Sequence, residues 1–135
     1  MLTPTGTSTS AYYYIKNVRS GKYLTLENNS TADGTRIVQW HFNAGNNQKW
    51  RFEYFGNTGI YGGEYQIVPY NATNKAIQMV SASDTNGVEA RLAEKANDTR
   101  QFFRINKNYT GSRRFVTNAS NFNKVLEILI DLLSP

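Results

Sequence analysis

Gly34-Thr35-Arg36-Ile37-Val38-Gln39-Trp40-His41-Phe42-Asn43-Ala44-Gly45-Asn46-Asn47-Gln48-Lys49-Trp50 is the stretch from which the rest of the chain is read. A turn at Gly34 leads into an apolar strand ending in Trp40. A turn-rich polar loop follows, and Gln48-Lys49-Trp50 opens a second strand. Trp50 is spaced as a core residue. Gln48 brings a side-chain amide, with donor hydrogens and an acceptor oxygen, that can satisfy buried backbone groups. Trp40 reads in two ways, as a core residue or as an exposed ring beside a loop of amides. The second arrangement suits a flat, hydroxyl-rich ligand better than it suits chemistry.

A chain of 135 residues is expected to form one domain with a real core. Nine Tyr, seven Phe and two Trp, among many Asn, Thr, Ser and Gly, favour strands and tight turns over long helices. With no Cys there are no disulfides or thiolate metal sites, and the single His41 cannot build a multi-histidine site. No partner motif accompanies His41 as a catalytic base. The net charge of +5 is spread along the chain, with Arg113-Arg114 the adjacent pair, so no nucleic-acid partner is expected. No stretch is long and apolar enough to span a membrane. Residues 1–11 read as a flexible leader without signal-peptide features.

From Tyr12 the pattern is strand-like. Lys22-Tyr23-Leu24-Thr25-Leu26 alternates at period two, Arg36 to Trp40 and Lys49 to Tyr54 are further strands, and Gly56 to Gly63 reads as a glycine-rich connection before Glu64-Tyr65-Gln66-Ile67-Val68. One offset of 53 then carries Lys22 onto Lys75, Gly34 onto Gly87, Gln48 onto Gln101 and Trp50 onto Phe103. Gln48, Trp50, Gln101 and Phe103 are therefore the structural anchors of a repeat. Trp40 becomes Ala93 and Asn47 becomes Arg100, so the framework repeats and the surface does not. A third unit begins at Arg114-Phe115-Val116, and Asn123 to Ile128 aligns with Asn74 to Met79. It has no third Gln-x-aromatic, and roughly twenty residues are missing relative to the first unit. Its apolar end reads as a last strand or a short helix.

Ser20-Gly21-Lys22-Tyr23-Leu24, Ser30-Thr31-Ala32-Asp33-Gly34, Val38-Gln39-Trp40 and Asn46-Asn47-Gln48-Lys49-Trp50 resemble the ricin-type β-trefoil lectins, which also occur as carbohydrate-binding modules on bacterial glycosidases and toxins. The resemblance covers Tyr12 to about Ile128, most strongly in the first unit. It implies an all-β fold, a β-trefoil of three pseudo-repeats with the third truncated: units at about 12–63, 64–112 and an incomplete 113–135.

It also implies one shallow sugar pocket per unit, built from an early carboxylate, a later aromatic and polar groups near Gln-x-Trp. A sugar's C–H face packs on an aromatic ring, and its hydroxyls pair with planar amides or carboxylates. Carried over, the aromatic is Trp40 and the amides are Asn47 and Gln39. Thr25 stands where the family has its Asp, with Asp33 or Glu27 as substitutes. The second unit has Gln78 and Ala93 at these places and is expected to be inactive; the third has Glu127 but no aromatic half. The expected function is non-catalytic binding of a galactose-type or other glycan, without cofactor or metal, by a secreted or toxin-associated module. Single sites of this kind bind at roughly millimolar strength and act through avidity. The alternative is a protein-interaction trefoil with vestigial sugar pockets. An unclosed third unit would expose strand edges, so either a homo-oligomer or partner subunit joined through the C-terminal segment, or an altered closure by Val125 to Leu133, is expected.

Overall fold

The computed structural model describes residues 12–59, 62–81, 89–106, 113–118 and 128–133, and contains ten strands and no α-helix among them. The first unit holds β1 (Tyr14–Asn17), β2 (Tyr23–Leu26), β3 (Ile37–Trp40) and β4 (Trp50–Gly59). The second holds β5 (Gly62–Pro69), β6 (Lys75–Met79), β7 (Ala90–Glu94) and β8 (Phe103–Asn106). The third holds β9 (Arg113–Asn118) and β10 (Ile128–Leu133). Residues 1–11, read above as a leader, lie outside the described residues, as does Glu127.

Six strands form a ring. β1 pairs with β10, β10 with β9, β9 with β8, β8 with β5 and β5 with β4, all antiparallel. The ring closes where Tyr13 and Trp50 exchange backbone hydrogen bonds of 2.8 and 3.0 Å. Closure removes the exposed edges an open sheet would carry. Trp50, Phe52, Tyr65, Ile67 and Phe103 fill the barrel and are nearly inaccessible to solvent. The Trp50 indole N–H donates to Leu24 O at 3.0 Å, so burial leaves that donor satisfied.

Two hairpins, β2–β3 and β6–β7, cap the barrel, and their registers repeat at the offset seen in the sequence. Tyr23, Leu24, Thr25 and Leu26 face Trp40, Gln39, Val38 and Ile37. Ala76, Ile77, Gln78 and Met79 face Ala93, Leu92, Arg91 and Ala90. The hairpins meet where Gly34 N–H donates to Leu92 O at 2.7 Å and Leu92 N–H to Thr35 O at 2.8 Å. Gly34 makes this turn at φ +85°, a backbone region that glycine enters without steric cost.

Each hairpin is tied to its barrel strand by a buried glutamine. The Gln48 amide nitrogen donates to Thr25 Oγ1 (3.1 Å) and His41 O (2.9 Å), and its oxygen accepts from Asn43 N–H (3.0 Å). Gln101 repeats this pattern on Gln78 Oε1 (2.9 Å), Glu94 O (2.7 Å) and Ala96 N–H (2.9 Å), and also accepts from Gln66 Nε2 (3.0 Å). Both glutamines are fully buried, as a side-chain amide whose donors and acceptor oxygen are all engaged can be. In both units the amide ties the backbone of the long loop to the hairpin, and this shared role fits a Gln at both positions.

Among its described residues the third unit closes the barrel with the antiparallel pair β9–β10 and no capping hairpin of the β2–β3 kind. By register, Trp50 opposite Pro69, Phe103 opposite Asn118 and Ile130 opposite Asn17 are equivalent. Asn17 and Trp50 are 33 positions apart, Pro69 and Phe103 34, but Asn118 and Ile130 only 12. Two expectations change. The apolar end is a barrel strand rather than a short helix. Ile128 also falls at the place of Gln48, not that of Met79, so the alignment of Asn123–Ile128 with Asn74–Met79 does not hold at its last residue. With no long loop to staple, the third unit has no need of the glutamine. The glycine-rich stretch from Gly56 differs as well: β4 and β5 run on through it as a long hairpin, with irregular register between Tyr54 and Gly59.

Candidate functional site

Trp40 ends β3 and is 52% exposed, so of its two sequence readings the structure supports the surface one. Strand alternation places Tyr23, Thr25, Val38 and Trp40 on one face of the first hairpin and Leu24, Leu26, Ile37 and Gln39 on the other. The loop Phe42–Gln48 is held against the first face by the Gln48 amide. Asn47, half-buried in the short 3-10 turn Asn46–Gln48, donates from Nδ2 to Leu26 O at 3.3 Å. That leaves its second amide hydrogen for another acceptor. Gly45 gives these amides room: a Cβ on it would stand 2.7 Å from Asn47 Oδ1 and 3.0 Å from Asn43 Oδ1, so a larger residue would have to displace those side-chain ends.

The other expected residues are placed differently. Thr25 shares the face with Trp40 but is 4% exposed; its hydroxyl donates to Tyr23 O (2.8 Å) and accepts from Gln48, so it serves the staple. Gln39 lies on the opposite face from Trp40 and accepts a 2.6 Å hydrogen bond from the Ser20 hydroxyl. Neighbours along a strand point apart, and this separates them. Asp33 pairs with Lys75 of the second unit at 3.1 Å and lines a cleft with Gly34, Gln78, Arg91 and Ala93. Glu27, the other substitute, pairs with Arg36 at 3.5 Å. Trp40 and Asn47 are the two expected residues that remain at the loop-covered face with groups to offer a ligand.

The cleft lined by Asp33, about 440 Å³, occupies the position in the second unit that corresponds to the Trp40 face. The concavity persists there, but Ala93 replaces the aromatic wall. Asn47 is matched by Arg100, whose guanidinium binds Asp98 at 2.7 Å while Asp98 accepts from Arg100 N–H at 2.9 Å. These two bonds hold the Asp98 carboxyl below the ordinary carboxylate range, the side-chain bond contributing most. An ion pair thus braces the second unit's turn where the first presents amides.

One feature of the first unit was not legible residue by residue. Phe42, 47% exposed, stands with its ring centroid 5.0 Å from those of both Tyr14 and Tyr23, and His41 packs 5.1 Å from Trp40. Comparing units at the repeat offset reveals it, since Phe42 falls on Lys95 and Tyr23 on Ala76. Among the described residues no group of three or more His, Cys, Asp or Glu is arranged to hold a metal ion. No helix there is long and apolar enough to cross a membrane.

A closed six-stranded ring capped by hairpins at a constant repeat offset is the arrangement of a trefoil. The sequence profile of the family described as ricin-type beta-trefoil lectin domain-like matches residues 2–68 and 46–129. The chain belongs to this family. The clotting factor G alpha subunit of Tachypleus tridentatus is 35% identical over 51 residues, covering 38% of this chain and 8% of that protein. The matched segment therefore spans less than a tenth of that relative's length. Among solved structures, the designed threefold-symmetric protein ThreeFoil superposes with a TM-score of 0.69 at 23% identity, over 92% of this chain and 89% of that one. The C-half of an earthworm R-type lectin, solved in complex with GalNAc, gives 0.56 at 18% identity, over 93% and 89%. These likenesses establish the β-trefoil fold, and the family membership supports carbohydrate binding in general terms.

Proposed function

We propose that this chain is a non-catalytic carbohydrate-binding domain with its sugar site in the first unit, on the ring of Trp40 and the amide of Asn47. The observation that carries this reading is the exposed Trp40 at the end of β3, on the face covered by an amide-bearing loop. An indole offers a sugar's C–H face a broad apolar surface, and Asn47 offers a hydroxyl a directional donor. Thr25 has no free hydroxyl to act as the family's carboxylate does, so the site relies on stacking and on the loop. The family and the GalNAc complex of the earthworm lectin favour a galactose-type ligand as the first to test. The match to a small fraction of a clotting-factor subunit supports a role as one module of a larger extracellular protein, a toxin or an enzyme. A single shallow site binds at roughly millimolar strength, so further copies or attached domains supply avidity.

The test is retention on immobilised galactose and N-acetylgalactosamine, with binding to a glycan array, for the parent and Trp40→Ala. The substitution is expected to weaken binding at least tenfold, about 1.4 kcal/mol, while the variant keeps the parent's urea midpoint. A folded parent, displayed multivalently, that binds no glycan would sink the proposal.

A further inference from the structure

The aromatic residues of the first unit extend well beyond Trp40. Tyr23 is the cross-strand partner of Trp40. Its ring meets Phe42 at 5.0 Å and Tyr14 at 6.3 Å, and Tyr14 meets Phe42 edge-on at 5.0 Å. Cross-strand partners bring their Cβ atoms to about 5 Å, so Trp40 stands beside the Tyr23–Phe42–Tyr14 cluster on one side of the hairpin, and the four residues line one strip of surface. Its two ends, Trp40 and Phe42, are about half exposed.

The trefoil framework does not require these rings. Residues that the fold needs have counterparts of the same kind in the second unit: Gln48 and Gln101, Trp50 and Phe103, Leu26 and Met79. At the repeat offset Tyr23, Trp40 and Phe42 correspond to Ala76, Ala93 and Lys95. Tyr14 lies one residue before Ile15, whose barrel counterpart is Ile67, and so corresponds to Gln66. A unit with none of the four aromatics builds the same hairpin in the same register. The strip is an addition to the first unit's surface.

Its chemistry selects the occupant. The four side chains carry no formal charge at neutral pH, and the loop around them contributes the amides of Asn43 and Asn47. Flat apolar faces bordered by amides match a neutral chain of linked sugars, each ring offering a C–H face and equatorial hydroxyls. One sugar covers one ring of the strip. We infer that this face binds a glycan chain rather than a single sugar, with Trp40 stacking one residue and Phe42, backed by Tyr14 and Tyr23, stacking another. This inference rests on the sugar site proposed above and adds that its ligand is a polymer.

The experiment titrates the protein with the monosaccharide and the β-linked tetrasaccharide of galactose, glucose and N-acetylglucosamine, followed by NMR and calorimetry. In the series that binds, the tetrasaccharide is expected to bind at least tenfold more tightly than the monosaccharide. Four equivalent registers alone would supply a factor of about four, which follows from the standard affinity relation. Phe42→Ala is expected to remove most of that ratio, with a much smaller loss for the monosaccharide, whose main platform is Trp40. Phe42→Lys, which installs the side chain the second unit carries at this place, is the control for folding and is expected to act in the same way. Equal affinity for the two lengths, or equal losses for both in the Phe42 variants, overturns the polymer inference and leaves the sugar site standing. Binding in none of the series overturns both. Self-association of the parent that Phe42→Ala abolishes would make the strip a contact between copies and also overturn the inference.

Discussion

Replacing Gln48 or Gln101 by alanine tests the central claim about the fold, that each unit's long loop is closed by one buried amide. Gln48 makes three hydrogen bonds with full burial; two of their partners, Asn43 N–H and His41 O, belong to exposed residues that water can reach, and the third, Thr25 Oγ1, is buried. At about 1 kcal/mol net for each bond, with a further contribution from the cavity, Gln48→Ala is expected to cost about 2–4 kcal/mol. Gln101 makes four bonds, one of them to the buried Gln66, so Gln101→Ala is expected to cost about 3–5 kcal/mol. Gln101→Glu should cost more than alanine at neutral pH, because it removes both donors and buries a carboxylate. Urea titration followed by tryptophan fluorescence, with the buried Trp50 as reporter of the core, measures these differences. With a slope of roughly 1–3 kcal/mol per molar urea, each midpoint should move down by about 1 M or more. Losses below about 1 kcal/mol for both residues, or a larger loss at Gln48 than at Gln101, would refute the reasoning.

Two further perturbations probe the barrel and the second unit. β10 is paired on both sides, with Ile130 opposite both Asn17 and Arg114, so Ile130→Pro removes a ladder hydrogen bond whichever way its N–H points; a loss of about 3 kcal/mol or more is expected, and a folded variant with an unchanged melting temperature would show that β10 does not close the ring. The Asp98 carboxyl is held below its ordinary value by Arg100, so its stabilising contribution is full above the unfolded-state value of about 3.9 and disappears as pH falls through the lower folded value. The parent is therefore expected to exceed Asp98→Asn in stability at pH 6 by less than about 1 kcal/mol, given partial exposure, with the gap closing towards pH 2; a gap that widens on acidification would be incompatible with this ion pair.

The fold was legible where a physical need recurs. A loop of fixed length must be closed twice, so Gln48 and Gln101 recur at the offset that also sets the registers of β2–β3 and β6–β7. The third unit was harder because period-two apolar patterning is common to hairpin strands and barrel strands. Lys124-Val125-Leu126-Glu127-Ile128 resembles a hairpin strand in composition, while the pairing of Ile130–Leu133 with β1 is a contact between residues far apart in the chain. Gly56 and its neighbours read as a loop because glycine weakens strands, yet a long hairpin tolerates them at irregular positions. At the site, spacing brings Trp40 and Asn47 to one loop-covered face. Gln39 lies on the other face because neighbours along a strand point apart, and the partner of Asp33, Lys75, is set by packing between units.

Gln39 itself explains how the chain accommodates its short third unit. Its counterpart at the repeat offset is Leu92, which is 1% exposed beneath the first unit's turn at Gly34 and Thr35. Threefold repetition would lay a third unit's turn across β3 at Gln39 in the same way. Among the described residues nothing occupies that place, and β3 is the terminal strand of its sheet. A leucine at this position would stand uncovered in water. The chain instead carries an amide that is exposed and bonded to Ser20. The same logic runs through the closing strand, where Ile128 replaces the staple glutamine because no long loop remains to be stapled. Gln39 in the first unit and Ile128 in the closing strand both fit a third unit with few residues between its barrel strands, one at the sheet's terminal strand and one in the strand that completes the ring. A trefoil shortened in this way keeps its six-stranded ring, and the surface it retains intact is the first unit's face, where Trp40 and Phe42 are displayed.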